Sequence, residues 1–301
     1  MPVLIAGATG LVGSDICRRL AGQGIPFRAL VRASSDPSKV AALQALGAET
    51  VIGDVRDRAS LDAACVGVES VISTLSAMPF AYEPGTNDIG PTDRDGTIAL
   101  ADAAKRAGAR GFVYMSFSGN IEGDFPLRNT KRVVEAHVRE SGLDYTVLRP
   151  SYFMEVWLTP AVGFDPASGS VTIFGSGEAP ISWISIRDVA GFAVRSLDAP
   201  FARNATLELG GPAAVSPNDA VRIFERRTGR TLTVGHVPIA ELATQQAAAA
   251  NDMLRSFAGL QQCYAQGDAI DMTATLAEIP MPLVSVEDYA GEVAEGIGSG
   301  R

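Results

Sequence analysis

Six short apolar segments, each separated from the next by a stretch long enough for a helix, fill the first half of this 301-residue chain. Short apolar runs that alternate with helical patterns predict parallel strands, buried on both faces by the helices between them. The first half is therefore predicted to be an α/β fold with a doubly wound parallel sheet. The six predicted strands cover positions 3–6, 27–31, 50–52, 70–74, 112–115 and 145–148.

The helices between these strands are predicted at positions 11–22, 37–46, 58–65, 91–107 and 127–141. Glycines stand just past four of these helices. A glycine at that place adopts the left-handed conformation that closes a helix at low steric cost. The helix boundaries are thus supported by a signal that does not depend on hydrophobic periodicity. These glycines are Gly24, Gly47, Gly108 and Gly142.

The pattern changes after Pro150, because glycine and proline become frequent between positions 160 and 180. Beyond that stretch we predict a helix at 186–197, a strand at 206–209 and a helix at 218–228 capped by Ser216, with the remainder mostly helical. We expect residues 1–150 to form the main nucleotide-binding domain. Residues 151–301 are expected to form a smaller, mainly substrate-binding α/β region, from which 182–209 returns to the main sheet.

Composition narrows the class of partner. The net charge is −9 and the basic residues form no stripe, so nucleic acid and anionic membrane surfaces are not expected as partners. Cys17, Cys65, Cys263, His137 and His236 are too few and too scattered to predict a disulfide framework or a metal site. The first residues resemble neither a signal peptide nor a membrane span. We expect a cytoplasmic protein, monomeric or homodimeric, that acts on a small molecule.

A glycine-rich run, Gly7-Ala8-Thr9-Gly10-Leu11-Val12-Gly13, joins the first strand to the first helix. In this context one glycine permits a tight turn, a second lets backbone N–H groups approach a pyrophosphate, and a third lets helix and strand pack closely. The alternative is a glycine-rich turn without a ligand. We interpret the run as the phosphate-binding turn of a Rossmann-type domain, with cofactor-binding residues Gly7, Thr9, Gly10, Leu11, Val12 and Gly13.

Arg32 ends the second strand, at the place where NAD-selective folds carry an acidic residue for the ribose 2′-hydroxyl. A cation there suits a 2′-phosphate, so NADP(H) is predicted as the cofactor in preference to NAD(H). Ser35 stands close enough in sequence to add a donor. Asp54 and Val55 follow the third strand and are assigned to the adenine, although a helix-capping role for Asp54 is an equal alternative.

Together these stretches resemble the NmrA-like group of atypical short-chain dehydrogenase/reductases. That group includes NADPH-dependent quinone and dye reductases, isoflavone-reductase-like enzymes and redox-sensing regulators. The resemblance extends over nearly the whole chain. It rests on positions 5–13, 29–32, 53–54, 114–116, 131–135 and 145–150.

The resemblance implies further cofactor contacts. Thr74, Leu75 and Ser76 would line the cofactor after the fourth strand. Ser116 would lie near the nicotinamide, and Lys131 would reach its ribose. The nicotinamide ring would be flanked by Pro150, Tyr152 and Phe153.

One position departs from the wider superfamily. The Tyr-x-x-x-Lys pair that supplies a phenolic acid would need tyrosine at position 127, where this chain has Leu127. Lys131 is one candidate proton donor, if burial or the cofactor's charge lowers its pKa. Alternatively Lys131 only orients the ribose, and water, Ser116 or Tyr152 supplies the proton. A third interpretation makes Lys131 a surface lysine paired with Glu135 one helical turn away.

Apolar and aromatic residues gather on both sides of position 150, either as a cleft for a flat, weakly polar substrate or simply as core. The leading hypothesis is an NADPH-dependent reductase that delivers hydride to a small conjugated or quinone-like molecule. The alternative is a non-enzymatic NADP(H)-binding redox sensor or assembly factor.

The apolar and aromatic residues considered for the substrate cleft are Met78, Phe80, Tyr82, Phe117, Tyr152, Phe153, Met154, Trp157, Phe164 and Trp183.

Overall fold

The computed structural model describes residues 1–78, 83, 85 and 87–298, so the predicted cleft residues Phe80 and Tyr82 lie outside the described part. In chain order the strands are β1 (Val3–Ala6), β2 (Phe27–Val31), β3 (Glu49–Ile52), β4 (Ser70–Ser73), β5 (Gly111–Met115), β6 (Asp144–Pro150), β7 (Phe164–Asp165), β8 (Ser170–Phe174), β9 (Ala205–Leu209) and β10 (Thr233–Val237).

The helices are α1 (Leu11–Gly22), α2 (Pro37–Ala45), α3 (Arg58–Cys65), α4 (Thr97–Arg106), α5 (Pro126–Glu140), α6 (Met154–Trp157), α7 (Ile186–Arg195), α8 (Pro217–Thr228), α9 (Ile239–Ala247), α10 (Asp252–Gln266), α11 (Thr273–Glu278) and α12 (Val286–Gly298). A π-helix, Ile89–Gly96, precedes α4. Within the described residues, no helix is both long enough and apolar enough to cross a membrane.

The chain divides into two units, of which the first contains Met1–Phe117, Pro126–Arg149 and Val189–Leu207. Its sheet has the strand order β3-β2-β1-β4-β5-β6-β9, and the neighbouring strands from β3 to β6 pair in parallel. The chain moves outward from β1 to β3 and then returns to place β4 on the other side of β1. This reversal creates a topological switch point at the carboxyl ends of β1 and β4, where open α/β sheets bind their ligands.

Strand β1 shows why the sheet forms. Successive side chains of a strand point to opposite faces, and all four residues of β1 are buried. Leu4 and Ala6 join a core cluster with Phe112 of β5 and with apolar residues of α3, α4 and α5. The sheet is thus covered on both faces, as its uninterrupted apolar strands predict. The predicted α/β class with a doubly wound sheet is confirmed.

Helix ends in this unit follow the predicted chemistry. The glycines expected to close helices have positive φ angles, which only glycine adopts without strain. Asp36 caps α2 by accepting a hydrogen bond from the N–H of Ser38. The φ values are +67° at Gly24, +86° at Gly47, +77° at Gly108 and +77° at Gly142.

The α-helix predicted at 91–107 is wrong over its first six positions, 91–96. Residues Ile89–Gly96 form a π-helix, capped by the Asp88 side chain, and the α-helix begins only at Thr97. Pro91 has no N–H to donate to a regular α-helical ladder. A side chain on Gly96 would also place its Cβ 2.5 Å from Val55, so this turn packs too closely for any other residue.

The second unit contains Ser118–Phe125, Pro150–Asp188 and Glu208–Arg301. It has a three-stranded sheet in the order β10-β8-β7, in which β8 pairs in parallel with β10 and antiparallel with β7. None of these strands was predicted. β7 has only two residues, and β10 is largely exposed and lacks apolar alternation, whereas β8 does have the alternation of a strand and was missed. Helices α9 to α12 fit the prediction that the remainder is mostly helical, and Ser216 caps the separately predicted α8 as expected.

Four of the aromatic residues considered for a cleft are core residues of this second unit. Tyr152 packs edge-on against Trp157, with ring centroids 5.0 Å apart, and both contact Tyr264. Trp183 is fully buried, and Phe164 packs against Phe224. These rings therefore stabilise the unit, which favours the core interpretation for them.

Candidate functional site

The glycine-rich turn between β1 and α1 is shaped by close backbone contacts. Gly7 has φ +86°, and a Cβ there would lie 2.6 Å from the Thr74 hydroxyl oxygen. A Cβ on Gly13 would lie 2.1 Å from the carbonyl oxygen of Gly7. Both glycines are thus required by the packing of the turn against α1 and the end of β4.

Helix α1 begins at Leu11, with Gly10 as an N-cap that has no side chain. The first N–H groups of a helix lack partners within it, and the helix dipole concentrates positive potential at the same end. Gly10 is exposed, so backbone N–H groups are accessible to an anion here. A phosphate group is the ligand that such a helix terminus favours.

A cleft opens beside this turn at the carboxyl ends of β1 to β4, at the topological switch point. It contains nine of the residues predicted to contact a cofactor. It also contains several that sequence reasoning did not assign, among them Arg56, Asn87 and Thr92. The lining residues are Gly7, Thr9, Gly10, Leu30, Arg32, Ser35, Gly53, Asp54, Val55, Arg56, Thr74, Leu75, Ser76, Asn87 and Thr92.

The other predicted cofactor residues lie elsewhere. Val12 and Gly13 are buried in α1 behind the cleft, and Leu11 is half exposed. Ser116 and Lys131 are inside the first unit, whereas the second unit holds the remaining three, Pro150, Tyr152 and Phe153. The role of each of these residues toward a cofactor stays a prediction.

Arg32 presents its side chain at the mouth of the cleft. Among the described residues, no carboxylate forms an ion pair with its guanidinium, and its backbone N–H donates to the Ser35 hydroxyl at 3.0 Å. An arginine without an internal partner offers its full fork of donors to a ligand. The binding of a phosphate by Arg32 and Ser35 stays a prediction, with which this geometry agrees.

Asp54 is engaged with a second arginine of the cleft. Arg56 Nε and Nη2 donate to the two Asp54 oxygens at 2.9 and 2.6 Å. The hydrogen bond from the Arg56 side chain, with its charge, lowers the pKa of Asp54 despite partial burial. Asp57, not Asp54, caps α3 by accepting from the N–H of Ala59. The capping alternative for Asp54 is therefore wrong, and Arg56 is the residue that the prediction missed.

Lys131 on α5 is buried, with only 4% of its surface exposed. Its Nζ donates to the carbonyl oxygens of Leu75 and Met115, each at 3.2 Å, and lies 5.3 Å from the centre of the Tyr114 ring. Burial lowers the pKa of Lys131, and the nearby Asp93 charge opposes that effect. The interpretation of Lys131 as a surface lysine is thus excluded.

Asp93 approaches Lys131 from the π-helix. Its Oδ1 lies 3.7 Å from Lys131 Nζ, and its Oδ2 accepts a hydrogen bond from the N–H of Ala77 at 2.9 Å. The side chain is fully buried, and burial raises the pKa of Asp93. Sequence reasoning missed Asp93 because a π-helix directs side chains differently from the α-helix predicted there.

Ser116 belongs to a buried charged cluster around Glu135. The Ser116 hydroxyl donates to Glu135 Oε1 at 2.6 Å. Arg132, Arg139 and Arg149 also donate to the same carboxylate. Burial opposes ionisation here, but these hydrogen bonds and charges outweigh it and lower the pKa of Glu135 to about 2. The Ser116 hydrogen is therefore committed to Glu135.

Tyr152 is equally committed in the second unit. Its hydroxyl donates to the carbonyl oxygen of Leu260 at 3.0 Å, and the residue is 3% exposed. Burial raises the pKa of Tyr152 well above its ordinary value. A phenol that is buried and already donating elsewhere is a poor proton source at neutral pH.

The strand order, the glycine turn and the cleft at the switch point define the first unit as a Rossmann-type nucleotide-binding domain. The model of the NmrA-like family matches residues 2–290, and the chain belongs to this family. The membership inferred from the sequence motifs is confirmed.

Two relatives and one solved structure illustrate the similarity. The chain is 31% identical over 281 residues to an NAD(P)H azoreductase of Xenophilus azovorans, covering 92% of this chain and 91% of the relative. It is 30% identical over 244 residues to the photosystem II assembly factor Ycf39 of Cyanophora paradoxa, covering 80% and 73%. The structure of an NADPH-dependent quinone oxidoreductase of Escherichia coli, complexed with NADPH, matches with a TM-score of 0.78 at 23% identity, covering 97% and 99%.

Proposed function

We propose that this chain is an NADPH-dependent reductase that transfers hydride to a small, weakly polar substrate with a conjugated or quinone-like group. One observation carries the proposal. Leu75 lines the glycine-bordered cleft, and its carbonyl oxygen accepts a hydrogen bond from the buried Lys131 ammonium. A nucleotide cleft and a buried proton-bearing group are thereby joined through a single residue.

The residues of the cleft fit NADPH. The turn at Gly7 and Gly10, which side chains would fill, and the start of α1 would hold the pyrophosphate. Arg32 and Ser35 would hold the 2′-phosphate, and Val55 would border the adenine. When bound, the reduced nicotinamide supplies the hydride. The azoreductase relative uses NAD(P)H by name, in keeping with this choice.

The proton is assigned to Lys131. Ser116 and Tyr152 donate their hydroxyl hydrogens to Glu135 and to a backbone carbonyl. The Lys131 ammonium has three hydrogens, of which two are used by the carbonyls of Leu75 and Met115. The third, on a nitrogen that lies 3.7 Å from Asp93 Oδ1, is assigned to the cofactor ribose or the reduced product. Burial makes the amine a better acid near neutral pH, because it destabilises the charged form.

A conjugated acceptor is favoured as the substrate. The azoreductase relative acts on an azo group, which accepts a hydride and a proton across one double bond. That chemistry needs no phenolic acid, in keeping with Leu127 at the position of the superfamily tyrosine. We assign most of the substrate contacts to residues 151–301, as the sequence predicts.

A second candidate function is a cofactor-binding protein without turnover. The observation that favours it is the similarity to an assembly factor at 30% identity. In that case Lys131 would only tune dinucleotide affinity.

Single-turnover oxidation of saturating NADPH, followed by nicotinamide absorbance, separates the two functions. The acceptors are azo dyes, quinones and conjugated enones, with Gly10→Val as the control for site-specific binding. We expect at least one class to be reduced by wild type alone. With 4-deuterated NADPH, an enone product should retain deuterium at carbon, whereas azo dyes and quinones should show slower oxidation of the labelled NADPH, because their N–D and O–D groups exchange with water. Tight NADPH binding without oxidation by any acceptor would favour the binding protein.

A further inference from the structure

We propose that Asp93 is a positioning residue for Lys131, holding its side chain in place as an ammonium so that a proton is available for the reduced product. The role in catalysis rests on the proposed reductase function. The pairing itself does not, since it is a property of the first unit alone.

The geometry fixes the Asp93 carboxylate. One oxygen is held by the N–H of Ala77, and the other faces Lys131 Nζ at 3.7 Å. Asp93 and Lys131 are both buried, so bulk water screens their interaction little. A buried ammonium without a counter-ion would lose its proton, and the two carbonyls that it contacts carry no full charge. Asp93 supplies the negative charge.

Other titratable groups near Lys131 do not take this role. Tyr114, whose ring lies 5.3 Å from Nζ, is buried with its pKa raised and stays neutral. Glu135, one turn further along α5, has its carboxylate occupied by arginines and by Ser116. Its charge adds to that of Asp93 at longer range. Asp93 is thus the carboxylate that faces the amine directly.

In the described part of the chain, several buried polar atoms around Asp93 and Lys131 lack hydrogen-bond partners, which favours a role for this pair beyond packing. Asp93 Oδ1 and the hydroxyls of Ser73, Thr97 and Tyr114 are buried and make no hydrogen bond within the described residues. Thr97 stands four residues after Asp93, and Ser73 is paired with Tyr114 across β4 and β5. A core that served packing alone would avoid such groups, because unpaired polar atoms are costly to bury.

The reaction balances with these groups. A bound reduced nicotinamide would supply the hydride, and with it two electrons, to the substrate double bond, and would itself be oxidised. Lys131 Nζ would supply the proton. The neutral amine then regains a proton from solvent. Asp93 takes part in neither the hydride transfer nor the proton transfer, and acts only on the position and protonation of Lys131.

The chain has three lysines, Lys39, Lys105 and Lys131, so lysine-selective isotope labelling gives three side-chain NMR signals. Lys131→Arg identifies the signal of Lys131 by its loss. The midpoint of its titration is compared among wild type, Asp93→Asn and the control Asp95→Asn. Asp95 is on the same π-helix but exposed and paired with Arg94.

We expect Asp93→Asn to move the Lys131 midpoint to lower pH by about one unit or more, a tenfold change in proton affinity. Asp95→Asn should leave the Lys131 midpoint nearly unchanged. Asp93→Glu, which keeps the carboxylate, should have a midpoint close to that of wild type. In single-turnover hydride transfer, the pH at which the rate falls should decrease by the same amount, and the affinity for NADPH should not change. An unchanged midpoint, or an equal shift in the control, overturns the proposal.

Two further outcomes are decisive. If Asp93→Asn does not fold, the double variant D93N/K131M removes both charges; recovery of folding supports the pairing, and no recovery overturns it. If wild type oxidises no NADPH with any acceptor, the reductase function fails. The NMR titration still decides the role of Asp93 in that case.

Discussion

Glu135 on α5 and Arg149 on β6 form a two-point salt bridge, in which Arg149 Nε and Nη2 donate to the carboxylate at 3.0 and 2.5 Å. Ser116, at the end of β5, donates to the same carboxylate. The bridge therefore ties a helix to two adjacent strands. It also fixes the position of the helix that carries Lys131.

Replacing Glu135 by glutamine should destabilise the first unit strongly. The change removes the charge of the buried Glu135 and leaves the half-buried Arg132 and Arg149 without their counter-ion, and breaking a buried pair in this way costs about 3–5 kcal/mol. Denaturant unfolding measures the difference. Glu140→Gln, at the exposed end of the same helix, is the control and should change stability by less than about 0.5 kcal/mol. Equal losses in the two variants would contradict the role of the cluster.

The contribution of Glu135 should also depend on pH. Its pKa is lowered to about 2, against 4.5 for an unperturbed glutamate. A lowered folded-state pKa gives stability that is complete above pH 4.5 and is lost as pH falls toward 2. The difference in unfolding free energy between wild type and Glu135→Gln should therefore shrink between pH 6 and pH 3. A constant difference over that range would show that the charge is unimportant.

Arg32→Ala should weaken NADPH binding by about 1–3 kcal/mol, or roughly 5- to 150-fold, and leave NADH binding nearly unchanged. The reason is that NADH lacks the 2′-phosphate that the unpaired guanidinium would hold. Calorimetric titration with both cofactors measures the effect. Arg58→Ala removes the same charge from an exposed residue at the start of α3 and is the control. Equal losses for NADPH and NADH would refute the assignment of Arg32.

The glycines of the first turn should respond differently to substitution. A Cβ on Gly10 meets the Gly7 carbonyl oxygen at 3.2 Å, a tight contact, whereas one on Gly13 would come within 2.1 Å. Gly10→Val should abolish dinucleotide binding but leave the protein folded, because its side chain extends into the phosphate site. Gly13→Ala should cost about 1–3 kcal/mol of stability by overpacking. Calorimetry and thermal melting test this pair, and full binding by Gly10→Val would exclude the site.

Lys131→Ala should lower the rate of hydride transfer by about 10²–10⁴-fold if the ammonium is the acid. Lys131→Arg should restore cofactor binding but not the rate, because guanidinium keeps its proton near neutral pH. Single-turnover kinetics with the acceptor that wild type reduces measures both. A loss of less than about tenfold in Lys131→Ala would assign the lysine to orientation alone.

The sequence predicted the architecture of the first unit closely. The strands 3–6 and 27–31 and the helices 11–22 and 58–65 have the predicted bounds. These elements depend on local periodicity and on turn residues, which a sequence displays directly. Strands β7 and β10 of the second unit escaped prediction because their pairing, not their composition, makes them strands.

For the site, the sequence alone determined the class of cofactor and predicted the glycine turn and Arg32 as its contacts, because each follows from a residue type at a fixed place after a strand. Only the tertiary structure decided that Lys131 is buried and faces Asp93, that Arg56 neutralises Asp54, and that Glu135 gathers three arginines. The pairing of Lys131 with Asp93 joins positions 38 apart in the chain, and burial sets the strength of the interaction. The linear sequence shows neither the distance between the Lys131 and Asp93 side chains nor their removal from solvent.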